Sequence, residues 1–249
     1  MTQPPAPLVQ WTPALRPVEH PDLSQVLIHF CDRGRPLGRD VPDEILRMSP
    51  AERLASILWD GHVRAFVTES GGDPAVCFAE LTSRGLGFVM RERPHQSWGL
   101  MFDRQNVYDA GGGPTWHARA TEHQALCHLS PRLRAWAVPL DPGSAWLQER
   151  EWRIPRAPCE PRTVVALSEL LLVGLVVGDP RWTGARWEHC VWAGTGRRQW
   201  GNFYPPLPSG LARFWWDPRS AQLQRLPPLF GTRPRIPTRG SATSGSIDR

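Results

Sequence analysis

LQEREWRIP, residues 147–155, sets Glu149, Arg150, Glu151, Trp152 and Arg153 in five consecutive positions shortly before a proline. The stretch reads as a strand that begins near Ala145. Side chains two apart on a strand point the same way. Glu149, Glu151 and Arg153 then share one face, with Arg150 and Trp152 on the other. Two carboxylates beside a guanidinium can form a tuned pair, one ionised and one bonded to a substrate hydroxyl. The same spacing also makes a salt-bridge ladder on an edge strand, which contributes little to stability. Spacing alone favours the ladder.

Outward from this strand the chain reads as short elements. SQVLIHFCDR, 24–33, holds a compact apolar run and predicts a buried first strand. SPAERLASILWDGHVRA, 49–65, predicts a helix: Ser49 caps it, Pro50 opens it, Glu52 completes a capping box and Gly61 closes it. PAVCFAEL, 74–81, predicts a strand followed by a loop. Residues 97–120 start as a strand, turn helical near 103–109, break at GGGP (111–114) and resume as a strand at TWHARA. Residues 121–140 are ambiguous. LLLVGLVVGD, 170–179, predicts a buried strand ended by Asp179-Pro180. Residues 184–204 read as helix and loop, and RFWWD, 213–217, as a last strand.

The expected class is α+β, sheet-rich with few short helices. The expected organisation is a proline-rich arm at 1–22, one domain at 23–226, and a disordered tail at 227–249.

All 29 basic residues are arginine, and the net charge is +5. Planar guanidinium groups suit carboxylates, phosphates and aromatic faces, and the positive balance points mildly to anionic partners. Tryptophan is common at 13 residues against 2 tyrosines. Five cysteines, widely spaced and without a CxxC, argue against a disulfide framework and fit a reducing cytoplasm. The start MTQPPAPLVQWTP has no basic-then-apolar pattern, so no signal peptide is expected. LLLVGLVVG is too short to span a bilayer, so no membrane partner is expected.

Other candidates are weaker. His29, inside VLIHF, is either a hydrogen-bonded core residue or a ligand-binding ring. His117, His123, Cys127 and His128 lack the defined ligand pairs of a zinc site, and no metal is expected. GGGP and GTG (194–196) match no phosphate-binding fingerprint. Arginines interleaved with aromatics in GTGRRQWGNFY, notably Arg197, Arg198 and Trp200, together with RFWW, could neutralise phosphates and stack bases.

The order of the pieces "IHFCD", "ILWDGHV", "PAVCFAELT", "WGLMFDRQNVYDAGGGPTWHARA", "EREWRIP" and "VVGD" resembles the AbiGi-like abortive-infection family and related uncharacterised families. More distantly it is similar to the DarT-type ADP-ribosyltransferases. The resemblance covers roughly 25–180. It implies a split, twisted sheet of ADP-ribosyltransferase type with NAD, as substrate, in its cleft.

It further implies that His29, with Phe30, holds the nicotinamide ribose, and that Glu151 is the late-strand catalytic glutamate with Glu149 two residues before it. The E-x-E spacing is that of arginine-modifying members. Arg84 or Arg104 would pair with the pyrophosphate, and Trp98, Phe102 or Tyr108 would stack on nicotinamide. The carboxylate would hold the ribose and stabilise the oxocarbenium-like charge that develops. Cys31 and Asp32 depart from the family, which favours threonine after the histidine.

The implied function is an NAD-dependent ADP-ribosyltransferase of bacterial or phage conflict, a toxin or a defence protein, modifying nucleic acid or protein. The alternative is a non-catalytic module, such as an antitoxin, that binds nucleic acid or a toxin partner through the arginine–tryptophan surface at 197–216. The first reading requires His29 and Glu151 to face one cleft.

Overall fold

A computed structural model describes residues 23–32, 40–68, 72–93, 97–126, 128–140, 147–157, 163–191, 198–205, 207–208 and 210–227. The proline-rich arm and the tail from 228 onward lie outside them. The described strands are β1 (Val26–Phe30), β2 (His62–Arg64), β3 (Ala75–Glu80), β4 (Gly99–Asp103), β5 (Gly113–Pro114), β6 (Trp116–Arg119) and β7 (Ala137–Leu140). They continue with β8 (Glu151–Pro155), β9 (Val164–Ala166), β10 (Leu172–Val176), β11 (Arg186–Val191), β12 (Arg198–Phe203), β13 (Ala212–Asp217) and β14 (Gln222–Leu226). The helices are α1 (Asp43–Arg47), α2 (Pro50–Asp60), α3 (Ser83–Glu92), α4 (Arg104–Asp109), α5 (Ala120–Leu126), α6 (Pro131–Arg134) and α7 (Leu167–Leu170).

Eight strands form one mixed sheet in the order β14-β13-β10-β4-β1-β3-β8-β5. Within it β10 and β13 run parallel, and the other pairs given a register are antiparallel. The protein is therefore of the α+β class.

Alternation along β1 sends Leu27 to one face and Ile28 and Phe30 to the other. The first face packs under α2, where Leu54 and Leu58 meet Leu27, Phe78, Phe102 and Ile154. The second packs under α3, where Leu86, Val89 and Met90 meet Ile28, Phe30 and Val176. Burying Leu54 and Leu58 is worth about 1.5–3 kcal/mol each. α2 starts with the expected capping box between Ser49 and Glu52, and Gly61 closes it at φ 70°, a left-handed conformation that glycine adopts without strain.

Three expectations are corrected. The loop expected after PAVCFAEL is instead α3. Two glycines inside it lower its intrinsic helicity, but the Thr82 cap and a buried Leu86–Val89–Met90 face hold it. The helix and loop expected at 184–204 are instead strands β11 and β12, paired from Arg186↔Phe203 to Val191↔Arg198. Trp187, Cys190 and Val191 suit a strand better than a helix. Third, the late strand does not begin near Ala145. Residues 141–146 are not described, Leu147–Glu149 form a turn of 3₁₀ helix, and β8 begins only at Glu151.

β1 and β3 share only two registered pairs, Leu27↔Glu80 and Ile28↔Ala79. Beyond them β1 stays with β4 as far as Phe30, and β3 stays with β8 back to Ala75. Among the described residues no helix is long and apolar enough to cross a membrane.

Candidate functional site

The acidic strand is closed by the chain itself. Arg150 takes φ 44° between Glu149 and Glu151, so the two glutamates are not successive residues of one strand face. This corrects the expected shared face. Glu149 receives Arg93 Nη1 at 2.5 Å. Glu151 accepts from Arg153 through both oxygens, Nε at 3.2 Å and Nη2 at 3.3 Å. Arg153 also donates from Nη1 to the carbonyls of Ala135 and Ala137.

All three of Glu149, Glu151 and Arg153 are buried. β8 is not an edge strand either, because β5 pairs along it at Gly113↔Arg153 and Pro114↔Trp152. The pair is thus neither an exposed ladder nor a free carboxylate. It is an internal ion pair, and removing one partner strands the other charge.

His29 lies where β1 and β3 part. Its Nδ1–H donates to the carbonyl of Cys77 at 2.8 Å, and its ring meets Phe78 edge-on with centroids 6.0 Å apart. Directly paired residues share a face of the sheet. The chain of register Ile28↔Ala79 and Ala79↔Glu151 puts Glu151 on the Ile28 face. His29 alternates with Ile28 and stands on the other. The two residues that the resemblance brings into one cleft are on opposite faces of the sheet.

The remaining implied cofactor residues also scatter. Phe30 is buried on the α3 face, opposite His29. Tyr108 packs on the α2-side core, and Phe102 is wholly buried within it. Arg84 is exposed on the first turn of α3. Arg104 is buried and donates to Glu80 Oε1 at 3.2 Å and to Gln25 Oε1 at 3.4 Å. Trp152 Nε1 donates to the other oxygen of Glu80 at 3.0 Å.

Glu80 was not among the candidates read from the sequence. Its signal was present: it follows Val76 and Phe78 on the apolar side of β3, where a carboxylate needs partners.

Arg197 lies outside the described residues. Arg198 and Trp200 are on β12, opposite Val191 and His189, and their side chains lie outside the description. Among the described residues no three His, Cys, Asp or Glu side chains converge. His117 is on β6 and His123 on α5.

What the fold does bring together is tryptophan. β10 stops short of its parallel neighbour. Val177 N–H donates to the Phe214 carbonyl at 2.9 Å, and the chain then turns away at Gly178-Asp179, while β13 continues through Trp215 and Trp216. Peptide groups two apart face the same side of a strand, so those of Trp216 turn toward the gap. Trp98, just before β4, fills its other wall.

The cleft so formed has a volume of about 590 Å³ and is also lined by Arg91 and Asp179. Two of its walls are seated on glycine. A methyl group at Gly87 would lie 2.9 Å from the ring of Trp216, and one at Gly178 would overlap the ring of Trp98. Trp98 is further braced edge-on by Trp182 at 5.5 Å. The carbonyl of Trp182 accepts from the buried Arg213 at 2.8 Å. Burial lowers the pKa of that guanidinium from its usual value.

The polar groups of the cleft are few. Arg91 leans over Phe88 and pairs with Glu92 at 2.8 Å. Asp179 Oδ1 accepts from Arg181 N–H at 2.8 Å, which holds its carboxyl below the usual carboxylate range. Arg181 itself is largely exposed. Chemically this is a half-open aromatic slot with one carboxylate, Asp179, and one arginine, Arg91, in its lining. Mostly apolar walls with a few placed polar groups are the common form of a small-ligand site.

Sequence reasoning reached Trp98 for another purpose and RFWW as a base-stacking segment, but not Asp179 or Arg91 as site residues. The chain matches no family model, no curated protein and no solved structure. The AbiGi-like and DarT-type resemblance therefore rests on its short motifs alone.

Proposed function

We propose that the protein is a binding module for single-stranded nucleic acid, and that the tryptophan cleft at the end of β10 holds a base. One observation carries this reading: Trp98, Trp215 and Trp216 line one open cleft at the end of β10, Trp216 from the α3 face of the sheet and Trp98 and Trp215 from the other, with two of the rings seated on glycines. Bases stack on such rings whatever their sequence, at about 1–3 kcal/mol per base. Arg91 lines the cleft and the exposed Arg181 follows two residues after Asp179, guanidinium groups suit phosphate, and the net charge of +5 favours the same partner.

The ADP-ribosyltransferase reading asks for His29 and Glu151 at one cleft. Their opposite faces, and the closure of both Glu151 oxygens on Arg153, count against it.

The test is fluorescence anisotropy with a labelled single-stranded oligonucleotide of mixed sequence, at several salt concentrations. Binding is expected to weaken as salt rises. Trp216→Ala should weaken it about 5- to 150-fold, the stacking range above expressed as affinity. Arg91→Ala should flatten the salt dependence, and Glu151→Gln should leave binding unchanged. Each variant is first shown to melt as a folded protein. Label transfer from NAD to the oligonucleotide, abolished by Glu151→Gln, would overturn the module in favour of the enzyme.

A further inference from the structure

Among the described residues three arginines are buried: Arg104, Arg153 and Arg213. The first two are paired with buried glutamates, Glu80 and Glu151. Arg213 pairs with no described carboxylate. Its Nε donates to the carbonyl of Pro227 at 2.9 Å and its Nη1 to that of Trp182 at 2.8 Å. A buried cation without a counter-ion is costly, and packing alone does not ask for one.

The two carbonyls show what the group joins. Pro227 follows β14. Trp182 ends the turn by which the chain leaves β10, a turn closed by Trp182 N–H on the Asp179 carbonyl at 3.1 Å. The ring of Trp182 meets Trp98 edge-on with centroids 5.5 Å apart. Trp98, backed by Gly178, is a wall of the cleft. Arg213 therefore ties β13 to the turn whose tryptophan braces that wall. Trp215, two residues on, shares its side of β13. One strand thus carries a stacking ring and the anchor for the brace of another.

We infer that Arg213 is a positioning residue for the cleft. Its planar fork fixes the Asp179–Trp182 turn on β13, and through Trp182 it fixes the ring of Trp98 for stacking. A guanidinium holds its donors in a rigid plane, which an ammonium does not. Arg213 is not part of the cleft lining, so it acts through Trp182 and touches no ligand. This rests on the nucleic-acid reading above and adds to it the buried group that organises the wall formed by Trp98.

The experiment compares Arg213→Met, Arg213→Lys and Trp182→Leu with the wild-type chain. Melting reports the fold. Anisotropy with a labelled thymidine tract at several salt concentrations reports binding. Circular dichroism in the indole bands reports the coupling of Trp98 to Trp182, and Trp182→Leu identifies the part of the signal that belongs to that pair.

Arg213→Met is expected to melt within about 4 °C of the wild type, because the loss of two hydrogen bonds is offset by relief of an unpaired buried charge. Its affinity should fall at least about fivefold, the low end of what one stacked base contributes. The salt dependence should stay as it was, and the signal of the indole pair should be lost. Arg213→Lys should show the same fall, since it keeps the charge and not the fork. Binding kept in Arg213→Met, or restored in full by Arg213→Lys, would overturn the positioning role. So would a flattened salt dependence in Arg213→Met, because the charge itself would then be meeting phosphate. Should Arg213→Met fail to fold, Trp182→Leu decides. It removes the brace and leaves Arg213 in place, so weakened binding supports the inference and unchanged binding overturns it. A wild-type chain that binds no tract would overturn the reading beneath, and the indole signal would still judge the tie: retained in Arg213→Met, it overturns the tie as well.

Discussion

At the β3–β8 end of the sheet, carboxylates are closed on guanidinium groups of the same chain. Glu80 meets Arg104, Glu149 meets Arg93, and Glu151 meets Arg153, each glutamate buried. At the β10–β13 end the arrangement is reversed. Asp179 keeps one oxygen without a partner among the described residues, and Trp98, Trp215 and Trp216 are only partly buried around a cleft. A charge cluster in sequence therefore marks the place where the protein binds itself, and the quieter WW of RFWWD lines a cleft that stays open. Dense charge in a buried strand has to be satisfied internally before the chain can fold. Aromatic rings carry no such obligation and can wait half exposed.

The largest test of that contrast is at Arg153. Arg153→Met leaves the buried Glu151 carboxylate without its partner and takes a donor from the carbonyls of Ala135 and Ala137. A loss of about 3–5 kcal/mol is expected in denaturant unfolding, a large part of the stability of an ordinary domain. Restoring neutrality with Glu151→Leu in the same chain should recover most of it. If Arg153→Met cost less than about 1 kcal/mol, the cluster would not be a structural ion pair, and Glu151 would return as a site residue.

A smaller effect sharpens the other half. Gly87 sits inside α3, where alanine normally gains about 1 kcal/mol over glycine. Here the added methyl would press on the ring of Trp216 at 2.9 Å. Gly87→Ala should therefore fail to stabilise and cost about 1–3 kcal/mol in thermal or chemical unfolding, with weaker oligonucleotide binding as Trp216 is displaced. A stabilised chain with unchanged binding would mean that the ring is not seated on α3.

How much of this was legible depends on whether a feature is local. VLIHF, the Ser49–Glu52 capping box with Gly61, the strand through CFAE, EWRIP and RFWWD all announce themselves through periodicity or cap chemistry. They fold as the sequence indicates. α3 was hidden because glycines at 85 and 87 argue against a helix, while the reason for one of them, room for Trp216, lies over a hundred residues away. The E-x-E face failed at one residue, Arg150, whose left-handed backbone its residue type does not announce. The opposite facing of His29 and Glu151 needed the register of β1 on β3 and of β3 on β8, which no short motif carries. The cleft draws on α3, the start of β4, the end of β10 and the β13–β14 turn, so it exists only once those four segments meet.

The smallest expected effect is in that last turn. Ala221 closes the β13–β14 connection at φ 51° and lines the cleft opposite the strand ends. A left-handed alanine costs about 1–2 kcal/mol through the clash of its Cβ with the backbone, and glycine escapes that clash while losing some freedom on folding. Ala221→Gly should thus raise stability by up to about 1 kcal/mol in urea unfolding. Because no wall of the cleft depends on that methyl as a stacking surface, base binding should be unchanged. If binding fell while stability rose, the turn would be holding its strained form for the ligand's sake, and the open end of the sheet would extend beyond its tryptophans to the turn that follows β13.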